Sequence, residues 1–297
     1  MIKTVFTATI AFGISLTALQ AIIYQESFEI GIGGYTDGDS LSGQGPANPP
    51  ATGNWSGSTA AQTQTGAALS YSSGLIDIAG AGGGVKQTAF DNASITRGTT
   101  LADDISTGGE RWFSALVSMD SFGGSSDGIG VMFNSRVAQG NLTGMGLVDG
   151  RFVRYFGGTT PAPVVFDDSG DYTLGATALL IAKLTVTGTG GGVNESWQVW
   201  ANPTDSSSEA QLTSTAVAST STSGTLFGGD WGGLDVSVRL TGSGGSNDQL
   251  IDEIYVADSL ASLNTVIAIP EPSTVALLGL GIMGGLIYAV RRRQAQA

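Results

Sequence analysis

The chain contains neither cysteine nor histidine. The first absence rules out a disulfide framework, a thiol nucleophile and an iron–sulfur cluster. The second removes the commonest general base and metal ligand, and with it Ser-His-Asp catalysis and His-ligated zinc. Charge is also scarce, at 12% of residues against a usual share of about 25%. Basic residues number 12 and acidic residues 25, a net charge of −13, so the basic face that nucleic acid requires is missing. Proline is sparse, at 8 of 297 residues, which excludes a collagen-like chain, while 41% hydrophobic residues suffice for a core. What is abundant is glycine: 46 residues, about twice the usual share.

The two ends read as addresses. Lys3 precedes an uncharged, mostly apolar run from Thr4 to Leu19, the n-region and h-region of a secretory signal peptide over residues 1–21. Carboxylates begin only at Glu26. At the other end, Pro270-Glu271-Pro272 precedes an uncharged apolar run of 16 residues, Val275 to Val290, followed by Arg291, Arg292 and Arg293. As a helix that run is about 24 Å long at ~1.5 Å per residue. Ser273, Thr274 and snorkelling arginines extend it to a short transmembrane span. The arginine cluster predicts a cytoplasmic end and places the large domain outside. Removing both ends (residues 1–21 and 270–297) leaves 8 basic and 24 acidic residues, so the exported part carries −16.

The ordered arrangement of Pro270-Glu271-Pro272, a Gly-rich apolar helix and a terminal arginine cluster resembles the PEP-CTERM sorting domain of Gram-negative bacteria. The resemblance covers residues 270–297. It implies recognition of the tripeptide by an exosortase, a membrane-embedded enzyme, with cleavage near it and release to the cell surface or extracellular matrix. It also implies passage through the general secretion machinery, removal of the leader by signal peptidase, and a transient inner-membrane anchor. The family often accompanies exopolysaccharide and biofilm production.

Between the ends, period-two alternation dominates. Leu234-Asp235-Val236-Ser237-Val238-Arg239-Leu240 alternates apolar and polar, and Leu180, Ala182, Leu184 and Val186 alternate with Lys183, Thr185 and Thr187. Each pattern predicts a strand with one face buried and one wet. Further strands are predicted at 111–119, 129–135, 151–156, 196–201 and 249–257, with others at 74–79 and 85–90. Gly clusters separate them and read as turns. No internal stretch shows sustained helical periodicity. The fold class is therefore all-β, an antiparallel two-sheet sandwich over residues 22–262, with a linker at 263–269. Residues 203–224, nearly all Ser, Thr, Ala and acidic, read as a polar loop in which 211–218 adds a short strand.

The opening Tyr24-Gln25-Glu26-Ser27-Phe28-Glu29, the end Trp200-Ala201-Asn202-Pro203 and the closing Ile251-Asp252-Glu253-Ile254-Tyr255-Val256 resemble concanavalin A-like jelly rolls. That resemblance implies pairing of the first and last strands.

Catalytic constellations are missing. Glycosidases need paired carboxylates, and jelly-roll examples present them on one strand face as Glu-x-Asp-x-x-Glu, a run this sequence lacks. Asp103-Asp104, Asp167-Asp168 and Asp252-Glu253 read as solvated turn or strand-end carboxylates. Calcium is the inorganic ligand that needs neither His nor Cys, and Asp127, Asp248 and Asp252, near Gly-rich loops, are its candidates. Sugar recognition would use exposed aromatics, for which Trp55, Trp200 and Trp231 are candidates, whereas Trp112 and Trp197 alternate in phase with apolar residues and read as core. The expected function is that of a non-catalytic exported surface or biofilm-matrix protein. A lectin-like module that binds polysaccharide is the alternative, and a glycoside hydrolase comes third.

Overall fold

The computed structural model describes residues 22–28, 35–41, 43–44, 55–57, 61–65, 68–80, 83–87, 93–98, 108–121, 128–135, 142–156, 163–166, 172–188, 194–223, 234–241 and 249–267. The expected signal peptide and the whole of 268–297 lie outside them.

The described chain is built from antiparallel strands. One sheet runs β15 (Val217–Ser223), β14 (Asn194–Ala201), β13 (Thr177–Thr187), β8 (Gly109–Met119), β17 (Gln249–Ala257), β6 (Gly83–Gln87), β3 (Ala61–Thr65). β1 (Ile22–Glu26) pairs with the C-terminal half of β17, beyond the stretch that pairs with β6. The second sheet runs β12 (Pro163–Val165), β11 (Arg151–Phe156), β10 (Leu142–Val148), β9 (Gly128–Ser135), β16 (Leu234–Thr241), β7 (Ala93–Gly98), β2 (Ser56–Gly57). Consecutive strands β8 and β9 lie in different sheets, as do β16 and β17, and β17 pairs β8 while β16 pairs β9. A two-strand ribbon thus folds back on itself across the sandwich, which is the jelly-roll arrangement. The first and last strands pair, as the resemblance implied.

Alternation decides the core. Phe113, Ala115 and Val117 of β8, Leu180, Ala182 and Leu184 of β13, and Trp197 and Val199 of β14 face Val131 and Phe133 of β9, Met145 and Leu147 of β10, and Val236 and Val238 of β16. Trp112 and Trp197 are both buried as expected, Trp197 in this core and Trp112 on the opposite face of the sheet.

The outer face of the eight-stranded sheet departs from the half-wet expectation. A hairpin of β4 (Tyr71–Ser73) and β5 (Ile76–Ile78), α1 (Glu209–Thr215) and α2 (Leu260–Ile267) supply a second apolar layer with Trp112, Leu116, Leu179, Ile181 and Trp200. Strands β8 and β17 are therefore buried on both faces. Lys183 lies on this face, ion-paired with Glu209 at 2.6 Å and 5.3 Å above the Trp112 ring.

Three boundaries are corrected. Residues 209–215, expected as loop and strand, form α1: Ser208 caps it through Gln211 N at 3.3 Å, Glu209 occupies the first turn, and fully buried Leu212 anchors it. The strand there begins only at Val217. The expected linker is also shorter, because α2 runs to Ile267. Ser259 caps α2 through Ser262 N at 3.1 Å, and Leu263 and Ile267, four residues apart, are both buried. β10 lacks a clear apolar alternation because its sequence is Leu-Thr-Gly-Met-Gly-Leu-Val. Gly144 and Gly146 are not turn residues; a Cβ at either would strike the β9 backbone.

Candidate functional site

β17 carries the conspicuous polar feature of the described residues. Its pairing with β8 slips between Asp252 and Tyr255, and Glu253 has φ of +49°, in the left-handed region. This β-bulge changes which side chains point inward. Ile251 faces the inter-sheet core, and so do Ile254 and Val256, while Leu250 and Tyr255 join the outer apolar layer.

The bulge brings two carboxylates into the interior. Asp252 is 0% and Glu253 2% exposed, which corrects their reading as solvated. Asp252 accepts the Leu69 N–H at 2.9 Å through Oδ2 and the Glu253 N–H at 2.8 Å through Oδ1. Burial, and then the neighbouring Glu253, push the Asp252 carboxyl up to about 8, against the two amide bonds. Glu253 accepts a hydrogen bond from Tyr255. Burial raises the Tyr255 phenol far above its ordinary range, with Glu253 as the next cause.

A second buried carboxylate network lies beside it on β1. Glu26 accepts the Tyr35 hydroxyl at 2.8 Å and the Phe28 N–H at 3.2 Å. Trp55 Nε1 in turn donates to the Tyr35 oxygen at 2.7 Å. The Phe28 ring stands 5.8 Å from both Tyr35 and Trp55. Burial followed by Glu26 raises the Tyr35 phenol well beyond its usual value. All three carboxylates, Glu26, Asp252 and Glu253, are buried. Their groups hold the first and last strands and the segment around Tyr35 together.

The sugar-stacking candidates fare differently. Trp55 is 1% exposed and sits in the network just described. Trp200 is fully buried: it stacks on Trp112 with centroids 5.6 Å and planes 8° apart, and its Nε1 donates to Thr213 of α1 at 3.1 Å. Both are buried by packing, so neither of these two candidates presents an exposed face for stacking; the covering layer that hides Trp200 has no signature in strand alternation. Trp231 lies outside the described residues. So do the calcium candidates Asp127 and Asp248, and among the described residues no three His, Cys, Asp or Glu side chains are placed to hold a metal.

The sorting signal Pro270-Glu271-Pro272 and Arg291, Arg292 and Arg293 lie outside the described residues, but their attachment point does not. Buried Ile267 ends α2 three residues before Pro270. No helix among the described residues is long and apolar enough to cross a membrane.

The fold and the tail define the class: an all-β sandwich followed immediately by a sorting segment. Residues 268–293 match the family model of the PEP-CTERM protein-sorting motif, so the chain carries the C-terminal signal of proteins targeted to an exosortase for export. No curated protein matches the chain. Similar solved structures include a protein of unknown function from Shewanella oneidensis MR-1, at 15% identity and TM-score 0.38 over 69% of this chain and 81% of that one. The binding domain of botulinum neurotoxin serotype D aligns at 12% identity and TM-score 0.37 over 69% of this chain and 46% of that one. Peanut lectin aligns at 10% identity and TM-score 0.31 over 66% of this chain and 96% of that one. At these scores the likenesses carry no functional meaning, and the sandwich stands on its own strand pairing.

Proposed function

We propose that this chain is a non-catalytic protein of the cell surface or extracellular matrix, delivered by its C-terminal signal and processed by an exosortase at Pro270-Glu271-Pro272. The observation that carries the reading is the match of residues 268–293 to the PEP-CTERM motif, directly behind a folded domain that ends at Ile267. A non-catalytic role is supported by the carboxylates of β1 and β17. They are buried under apolar side chains and engaged by backbone amides and phenols rather than facing solvent as an acid–base pair.

The short spacing has a mechanical consequence. The domain remains close to the membrane until cleavage, so the enzyme works in a narrow gap between the bilayer and α2. Cutting beside the tripeptide leaves the sandwich and α2 intact on the released product. The −16 charge of the exported part then keeps the product soluble and away from anionic surfaces at low salt.

Intact-mass measurement of the exported protein from an exosortase-containing host tests this reading. The expected mass lacks Arg291–Arg293. A mature protein that retains them, or normal release after Pro270, Glu271 and Pro272 are replaced by alanine, overturns it. Carbohydrate binding, the alternative, keeps only Trp231 of its three stacking candidates; affinity in a glycan array would revive it.

A further inference from the structure

The two sheets treat their edges differently. The seven-stranded sheet ends on β2, two residues long, and on β12, three residues beginning at Pro163. Short edges and proline are the usual guards against strand addition. The eight-stranded sheet instead ends on β15, seven residues reading Val-Ala-Ser-Thr-Ser-Thr-Ser. It contains no lysine, no proline and no charge. Its register with β14 is continuous, from Ala201 opposite Val217 to Glu195 opposite Ser223, so no bulge turns it aside. Among the described residues no strand pairs with its outer side. An edge of this kind presents alternate N–H and C=O groups as a template for another strand.

Charge selects the partner. Residues 210–229 hold no charged side chain, a twenty-residue gap in a chain of net charge −13. Two copies of so acidic a protein repel across most orientations. They meet without like-charge contact where this uncharged edge faces itself. A two-fold axis uses one patch twice and needs no complementary surface elsewhere. The opposite edge, β3, is also uncharged (Ala-Gln-Thr-Gln-Thr) but has five residues, so head-to-tail addition to β15 leaves part of the longer strand unpaired.

We propose that two copies of this chain dock β15 against β15, antiparallel about a two-fold axis at Thr220, continuing the eight-stranded sheet from one copy into the other. Positions 220 then face each other, and position 218 of one copy opposes position 222 of the other.

The absence of cysteine makes the test clean. In the full-length chain in detergent, Thr220→Cys supplies a single thiol per copy. Directly opposed residues of an antiparallel pair have Cα atoms ~4.5–5.5 Å apart, within disulfide range. Mild oxidation is expected to convert most of this variant to a covalent dimer, whereas Ser207→Cys, on an exposed bend, stays monomeric on a reducing-free gel. By light scattering the unmodified chain is expected to be a dimer. The double variant Ala218→Lys/Thr222→Lys, which sets like charges opposite each other, is expected to weaken association at least tenfold with an unchanged circular dichroism spectrum. A monomer at every concentration overturns the proposal. So do cross-linking at 207 as ready as at 220, a ladder of higher oligomers, and a dimer indifferent to the lysine pair. If the lysine variant loses its β-sheet spectrum, the two cysteine variants decide the matter.

Discussion

The Tyr35 hydroxyl donates to Glu26 Oε2 at 2.8 Å, joining the first strand to a segment nine residues further on. The same oxygen accepts from Trp55 Nε1, so one phenol satisfies a buried carboxylate and a buried indole together. Tyr35→Phe removes both bonds while keeping the ring. A net loss of about 1–3 kcal/mol is expected. In thermal melts that lowers the midpoint by several degrees. An unchanged midpoint would show that this network does not stabilise the β1–β17 seam.

The second prediction concerns pH. The Asp252 carboxyl is pushed up to about 8 in the folded chain, against about 3.9 in an unfolded one. The folded state therefore binds this proton more tightly. Its contribution to stability is fully present below about pH 4, declines as pH rises, and is lost above about pH 8. Melting points measured from pH 4 to 9 should fall across this window, and Asp252→Asn should flatten the fall. A variant with the same slope as the unmodified chain contradicts the assignment.

Gly144 and Gly146 give a third test. An added Cβ at 146 meets the backbone of Ile129 and Gly130 on the neighbouring strand, and one at 144 meets Val131 and Met132. Gly144 also accepts the Trp197 indole N–H at 3.0 Å, so displacing it disturbs the core aromatic. Gly146→Ala is expected to cost about 1–3 kcal/mol in denaturant unfolding, the usual range for overpacking. Unfolding unchanged by the substitution would contradict the close strand contact.

The fourth concerns α2. Leu263 is fully buried against the outer layer with Trp112 and Leu116. Leu263→Ala is expected to cost about 2–5 kcal/mol. Limited proteolysis should then cut upstream of residue 268, and in an exosortase-containing host less full-sized domain should be recovered. Equal protease resistance would mean that α2 is dispensable to the fold.

Much of the sandwich was legible along the chain. Strands β9, β11, β13, β14 and β16 announce themselves through apolar alternation, β8 and β17 through longer apolar runs buried on both faces, and Trp197 falls in phase with the inter-sheet core whereas Trp112 is covered by the outer layer. Four other elements are less legible, each for a local reason. β10 uses glycines where its neighbour comes close, and β15 is built from Ser and Thr at the margin of the core, so neither shows alternation. α1 and α2 are too short for periodicity to emerge. Their capping serines, Ser208 and Ser259, were the available signals.

By itself the sequence determined the export-sorting signal and the excluded chemistries. A sorting signal is read as a linear string, and missing cysteine and histidine are missing in any fold. Exposure was decided only by the tertiary structure. Trp55 and Trp200 look alike in sequence to a ligand-stacking aromatic, and Asp252-Glu253 looks like a wet turn. It is the strand-first-to-last pairing, the bulge in β17 and the added layer of hairpin and helices that bury them. Burial depends on residues far apart in the chain, such as Leu69 with Asp252 and Thr213 with Trp200, and no local pattern encodes those meetings.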